Sequence, residues 1–391
     1  MTTGVPTGFV PPPYPHDRLD DLRAIGDTVD GGIIDCSIGT PVDPMPDVAL
    51  RALADAAPGS TGYPPTIGTA SLREAAAGWI DRRFGVRVAP TAVMACIGTK
   101  EMVAGLPRLL SLRDPTRDTV LYPGVAYPTY AMGAELAGLR AVPIPVDGQW
   151  HLDLAAVSAD DASRALLLWL NDPSNPTGAS ASPAQMQNAV EWGHAHGAVV
   201  ASDECYAEFT YDAAGRPTAP VTALTASTDG VLAVHSLSKR SNMAGLRVGF
   251  VAGDAELVSY LGEVRKHAGM MVAAPMQAAA AAALGDDAHV EEQRTRYSRR
   301  RARLLPALEA VGLVHDGGPS TFYLWLRDAD GGEDAWAIAA RLARAGVLIA
   351  PGDLYGPAGA AHVRLALTLT DEVVEQVVAR VGTMQSGGTG G

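Results

Sequence analysis

What the 391-residue sequence lacks narrows its class before any motif is read. No run of ~18 apolar residues occurs, which excludes a helical membrane span. The start, Met1-Thr2-Thr3-Gly4, carries no basic-then-apolar signal, and a soluble cytoplasmic protein is expected. Cysteine is scarce: Cys36, Cys96 and Cys205 are odd in number and widely spaced. They suit neither a disulfide framework nor a C-x-x-C metal pair, and they point to a reducing compartment. Basic residues are outnumbered, 30 Lys and Arg against 43 Asp and Glu, for a net charge of −13. Nucleic-acid and anionic-membrane surfaces are therefore poor partners. Phosphate-loop, G-x-G-x-x-G, H-E-x-x-H and G-x-S-x-G signatures are missing. The nine histidines form no ligand-like cluster, and His194 and His196 read as surface residues near a helix end. Metal and nucleophilic-serine chemistry are thereby disfavoured. With 47% hydrophobic and 19% charged residues, the chain does not have the composition of a disordered one.

What is present is an α/β rhythm. Strand-like runs occupy Thr119–Tyr122, Ala165–Leu170, Ala198–Ser202, Val231–His235 and Arg247–Ala252. Several are apolar throughout, as strands buried on both faces must be. Ser182, Pro183 and Gln185 set an N-cap, first turn and capping box, and Gly197 closes the helix they open. The C-terminal part mixes elements instead. A basic helix over Arg294–Leu308 precedes strands Thr321–Leu326, Val347–Ala350 and His362–Leu367, with helices over Asp334–Ala345 and from Asp371. That mixture predicts a second, smaller α+β domain. The Pro-rich first ~15 residues and the small residues Ser386–Gly391 are expected to be mobile.

Chemistry-bearing residues gather in loops after the predicted strands, the rim where open α/β sheets bind ligands. Asn171-Asp172-Pro173-Ser174-Asn175-Pro176-Thr177-Gly178 follows one strand and Asp203-Glu204-Cys205-Tyr206 the next. Ser236-Leu237-Ser238-Lys239 follows a third, with Arg247 eight residues beyond the lysine. Each piece alone is a turn, a cap or a surface charge; their order is what carries information.

These blocks resemble the class I/II aminotransferases of fold type I, which use pyridoxal 5′-phosphate (PLP). Tyr63-Pro64, Gly98-Thr99-Lys100, Tyr127-Pro128-Thr129-Tyr130 and Arg364 extend the match, so that it runs from about Gly39 to Arg364. The resemblance implies an α/β fold with a mostly parallel central sheet. It divides the chain into an N-terminal arm and part of the small domain (1–58), a large PLP-binding domain (59–285), a C-terminal small domain (286–385) and a tail (386–391). A PLP enzyme needs an amine to hold the cofactor's aldehyde, and Lys239 is the candidate; the freed amine can then move a proton as general base and acid. An acid beside the ring nitrogen keeps it protonated, a role the family assigns to Asp203. Tyr206 and Asn175 resemble the pair that bonds the ring's phenolic oxygen, and Tyr127 the aromatic that stacks on the ring. Arg247, Ser236, Ser238 and the N–H groups at Gly98 and Thr99 are expected to take the phosphate. Lys100 lies in that loop, with a side chain free to reach cofactor or water. Tyr63 is expected to reach the phosphate of a neighbouring subunit, which makes the active site shared and the enzyme a homodimer. Arg364 resembles the α-carboxylate clamp, a planar fork lysine cannot replace, and Gly39 the segment that closes over substrate.

The phrases Gly39–Pro44, His235–Arg240 and Arg265–Met271 resemble actinobacterial N-succinyldiaminopimelate aminotransferases. That implies amino exchange between N-succinyl-LL-2,6-diaminopimelate and 2-oxoglutarate, with Arg265, Lys266 and Arg240 as candidates for a distal-carboxylate pocket. A general aspartate, alanine or aromatic aminotransferase shares the same motifs, and a PLP-dependent β-lyase shares the cofactor residues.

Overall fold

The computed structural model describes residues 9–386. The expected mobility of 1–8 and 387–391 falls outside them. Seven strands form the larger sheet: β1 (Val93–Cys96), β2 (Thr119–Pro123), β3 (Arg140–Ile144), β4 (Ala165–Asn171), β5 (Val199–Asp203), β6 (Val231–Ser236) and β7 (Gly249–Gly253). Their spatial order is β1-β7-β6-β5-β4-β2-β3. All pairings are parallel except those of β7, which runs antiparallel to β6 and β1. This is the expected α/β class.

Both faces of the sheet are covered, which explains the unbroken apolar runs: all seven residues of β4 are buried. Alternate side chains serve opposite layers. Leu168 and Leu170 pack with Leu72, Trp79 and Met186 of the helices Ala70–Phe84 and Pro183–His196. Leu167 and Trp169 pack with Met102, Leu106 and Leu261 of the helices Thr99–Arg113 and Ala255–His267. The helix Pro183–His196 carries the expected capping box and ends on Gly197 at φ 65°. The edge strands β1 and β3 escaped the sequence reading; β3, with an arginine and a proline in its five residues, is mostly only half-buried and lacks the apolar run of the central strands.

A second, antiparallel sheet has the order β10-β11-β9-β8, from β8 (Leu313–His315), β9 (Tyr323–Asp328), β10 (Ala350–Pro351) and β11 (His362–Ala366). The helices Ala288–Glu309, Ala335–Arg344 and Asp371–Ser386 pack its core, joined by Leu19 and Leu22 from the N-terminal part. The basic helix begins at Ala288, six residues before the expected start, because its first turns are not basic. The N-terminal segment is stitched in by a parallel pairing of Ile34–Asp35 with Val347–Leu348. Beyond it, the Ala366 N–H bonds the Cys36 carbonyl at 2.8 Å, and the Thr368 hydroxyl bonds the Ile38 carbonyl at 2.9 Å. No helix of the described residues is long and apolar enough to cross a membrane.

Candidate active site

The strand directions bring the loops together. Parallel β4, β5 and β6 end at one rim, delivering Asn171–Gly178, Asp203–Tyr206 and Ser236–Lys239. Antiparallel β7 begins at that rim, which places Arg247 there. The sequence reading made Arg247 the first residue of a strand, but the strand begins only at Gly249. Arg247 sits just before β7 in left-handed backbone, φ 52° and ψ 50°, in the turn that aims it at the cavity. The end of β1 brings Gly98 and the first turn of the helix Thr99–Arg113.

A cavity of about 390 Å³ opens between these loops and the second sheet. Of the residues expected in the site, Gly39, Gly98's neighbours Thr99 and Lys100, Tyr127, Asn175, Asp203, Tyr206, Ser236, Ser238, Lys239, Arg247 and Arg364 all line it. Tyr63 does not; it is 95% exposed.

Lys239 is half-buried in the single helical turn Leu237–Arg240 that follows β6, and its amine donates to the Gly39 carbonyl. Burial lowers its pKa to about 8, helped by the positive charges of Arg364 and Arg247. Asp203 is buried at the end of β5; burial raises its pKa, opposed by hydrogen bonds from the Tyr130 hydroxyl (2.9 Å) and the Cys205 N–H (3.3 Å). Tyr130 is a component of the site that sequence reading quoted but gave no role. It lies one helical turn after Tyr127, so that both rings face the sheet rim.

Arg364, on β11, is sandwiched between the rings of Tyr323 and Tyr355 at 4.1 and 4.8 Å. Its guanidinium donates to Asn175 Oδ1 at 2.8 Å and to the Ser37 carbonyl. Its Nε is buried with no partner among the described residues. The fork is thus held by aromatic faces and has a donor to spare, as a carboxylate clamp requires. The Tyr206 and Tyr323 hydroxyls meet at 3.0 Å. Tyr14 and His16 also wall the cavity, so the Pro-rich start is docked from there onward.

The chemistry of these donors fits PLP. A Cβ on Gly98 would lie 2.4 Å from an Arg247 nitrogen, so glycine is what lets the guanidinium close on the helix N-terminus as an anion cradle. Asp203 is a buried acid that feels the Lys239 charge but forms no ion pair among the described residues, matching a ring N–H. Lys239 supplies the amine.

The three distal-pocket candidates lie elsewhere. Arg240 is buried against Glu208 and Asp287 and bonds the Ala283 carbonyl. Arg265 is buried on Glu101, whose other oxygen accepts the Ile97 N–H at 3.0 Å, so it braces the loop before Gly98 from behind. Lys266 is exposed and pairs with Glu263. The cation that does reach the mouth is Lys100. Its amine bonds the Tyr14 hydroxyl at 3.3 Å and lies 5.0 Å from that ring and 5.8 Å from the ring of Tyr127.

A seven-stranded α/β sheet carries a lysine, an acid and an arginine on one rim, faced by a second arginine from the smaller sheet, and the chain belongs to the class I and II aminotransferase family, matching over residues 32–381. It is therefore a PLP-dependent aminotransferase. It is 48% identical to a probable aminotransferase of Mycobacterium tuberculosis over 95% of this chain and 85% of that one. It is 45% identical to the 4-dedimethylamino-4-oxo-anhydrotetracycline transaminase of Streptomyces rimosus, over 95% and 99%. Among solved structures, a probable N-succinyldiaminopimelate aminotransferase from Thermus thermophilus superposes with a TM-score of 0.83 at 32% identity, covering 93% of this chain and 98% of that one.

Proposed function

We propose that the enzyme exchanges an amino group between N-succinyl-LL-2,6-diaminopimelate and 2-oxoglutarate in a ping-pong reaction. When bound, PLP supplies an electron sink next to the substrate's Cα and a carbon that carries nitrogen between half-reactions. The chain's own groups do the rest. Lys239, with a pKa brought near neutrality, anchors the cofactor and then takes the Cα proton and returns it. Asp203, steadied by Tyr130, keeps the ring nitrogen protonated. Asn175 gives its Oδ1 to Arg364, while its Nδ2 makes no hydrogen bond among the described residues and remains a donor for the ring oxygen, alongside Tyr206. Tyr127 covers the ring. Arg247, Ser236, Ser238 and the N–H groups at Gly98 and Thr99 hold the phosphate, and Arg364 grips the α-carboxylate under the Gly39 segment. Tyr63, exposed on its own chain, serves the cavity of a second copy in a homodimer.

Lys100 carries the substrate reading. With Lys239, Arg247 and Arg364 occupied, it is a further cation at the cavity mouth, and both proposed substrates bring a carboxylate distal to the reacting carbon. The test is kcat/KM for succinylated diaminopimelate against aspartate, alanine and tyrosine with 2-oxoglutarate as acceptor. A preference for the succinylated donor, and a raised KM for it in Lys100→Gln, are expected. Preference for aspartate or tyrosine refutes the substrate and leaves the aminotransferase. Release of ammonia without an oxo acid would indicate a β-lyase instead. The Streptomyces relative motivates one further arm, its tetracyclic 4-oxo compound as acceptor.

A further inference from the structure

A second cavity, of about 260 Å³, lies against the same loop that borders the first. Asn171 lines both, Asn175 faces the first, and Asp172 and Ser174 face the second. Its walls are largely apolar, with Trp150, Leu152, Leu170 and Met186 prominent, and the amides of exposed Gln185 and Asn188 lie on its boundary. Asp172 breaks the pattern. It is 6% exposed, and one carboxylate oxygen accepts the Ala181 N–H. The other makes no hydrogen bond, and no cationic side chain pairs with it, among the described residues. Burial pushes the carboxyl up to about 7, opposed only by that N–H; the titratable groups facing it are Glu204 and, across the cavity, His151. An apolar chamber with a single under-satisfied acid suits a ligand with an apolar body and one cationic donor.

We propose that this cavity is a binding site for a small organic cation, a hydrophobic amine whose protonated nitrogen pairs with Asp172 while its body packs on Trp150 and Met186. The site is separate from amino-group exchange and does not depend on which amino donor the enzyme uses. An occupant would press on structure that matters to the first cavity. Asn171 accepts the Asn175 N–H at 2.8 Å and donates to the Asp203 carbonyl at 3.3 Å. The opposite wall is tied to the second sheet, since the Trp150 indole donates to the Asp316 carbonyl at 2.7 Å and its ring sits edge-on to Trp325 and His362. The ligand is thus placed to act as an effector on the loop that presents Asn175.

The probe is N,N-dimethylbenzylamine, a tertiary amine that cannot condense with an aldehyde, titrated calorimetrically into the PLP-loaded enzyme. Saturable binding is expected, at least tenfold tighter than for the neutral N,N-dimethylbenzamide. Asp172→Asn should weaken the amine at least tenfold and leave the amide unchanged. Ala189→Phe, which fills the cavity from the helix Pro183–His196 and keeps the acid, should abolish binding of both. Equal affinity for amine and amide, undiminished binding in folded Ala189→Phe, or a co-crystal structure with the amine in the first cavity would each overturn the site. A failed amino-donor panel would not.

Discussion

Replacing Tyr130 with Phe isolates one hydrogen bond on Asp203, the acid proposed to face the ring nitrogen. The tyrosine is fully buried, and its ring packs against Trp169 at 5.3 Å and Tyr127 at 6.2 Å, contacts that Phe retains. The variant therefore loses only the 2.9 Å bond to Asp203. Without cofactor, burial favours the neutral carboxyl, and a bond to it contributes about 1 kcal/mol. With a protonated ring beside it the carboxyl is ionised, and the bond contributes about 2 kcal/mol. The difference, ~1 kcal/mol, is what PLP affinity reports, so the dissociation constant should rise roughly fivefold to tenfold. Titrating PLP into the apoenzyme by absorbance, with urea unfolding of the apoenzyme in parallel, separates the two effects. An unchanged dissociation constant with a stability loss above ~2 kcal/mol would show that the hydroxyl serves packing and that the argument is wrong.

Three other outcomes are expected. Gly98→Ala should weaken PLP at least tenfold, read by the same titration, because φ 73° with ψ 158° is essentially glycine-only and the new methyl would displace Arg247. Glu101→Ala should lower unfolding free energy by about 3 kcal/mol, leaving Arg265 buried without its partner; the double variant E101L/R265M should lose less in the same urea assay. Because the folded pKa of Lys239 lies below its unfolded value, the unfolded chain binds more protons between about 8 and the ordinary lysine range, so the stability contribution of this group rises with pH across that window. The stability advantage of apo Lys239→Met over apo wild type should accordingly shrink between pH 7 and pH 9.5 in urea unfolding; a constant gap refutes the shift.

How legible all this was in sequence depended on distance along the chain. The rim loops could be read because each follows its strand directly, and strand ends are where such sheets bind ligands. Lys239, Asp203 and Asn175 were found that way. Arg247 was found too, but as a strand residue, since nothing local announces a left-handed non-glycine turn. Arg240, Arg265 and Lys266 misled because a cation in sequence does not reveal which carboxylate neutralises it; Glu208, Glu101 and Glu263 do so in the fold. The second oxygen of Asp203 found its partner, Tyr130, 73 positions earlier, a contact made only by packing.

The stitching of Ile34–Asp35 onto Val347–Leu348 has a consequence for biogenesis. A strand that early in the chain has no partner until Val347 follows Ile34, 313 positions later, and the Ser37 carbonyl waits longer still for Arg364, 327 positions away. Every strand of the larger sheet has been made by Gly253, whereas the wall that carries Arg364 closes only through these later, slow-forming long-range contacts. A nascent chain arrested before residue 347 would hold Lys239 and Asp203, yet lack Arg364, the arginine proposed to grip the substrate's carboxylate.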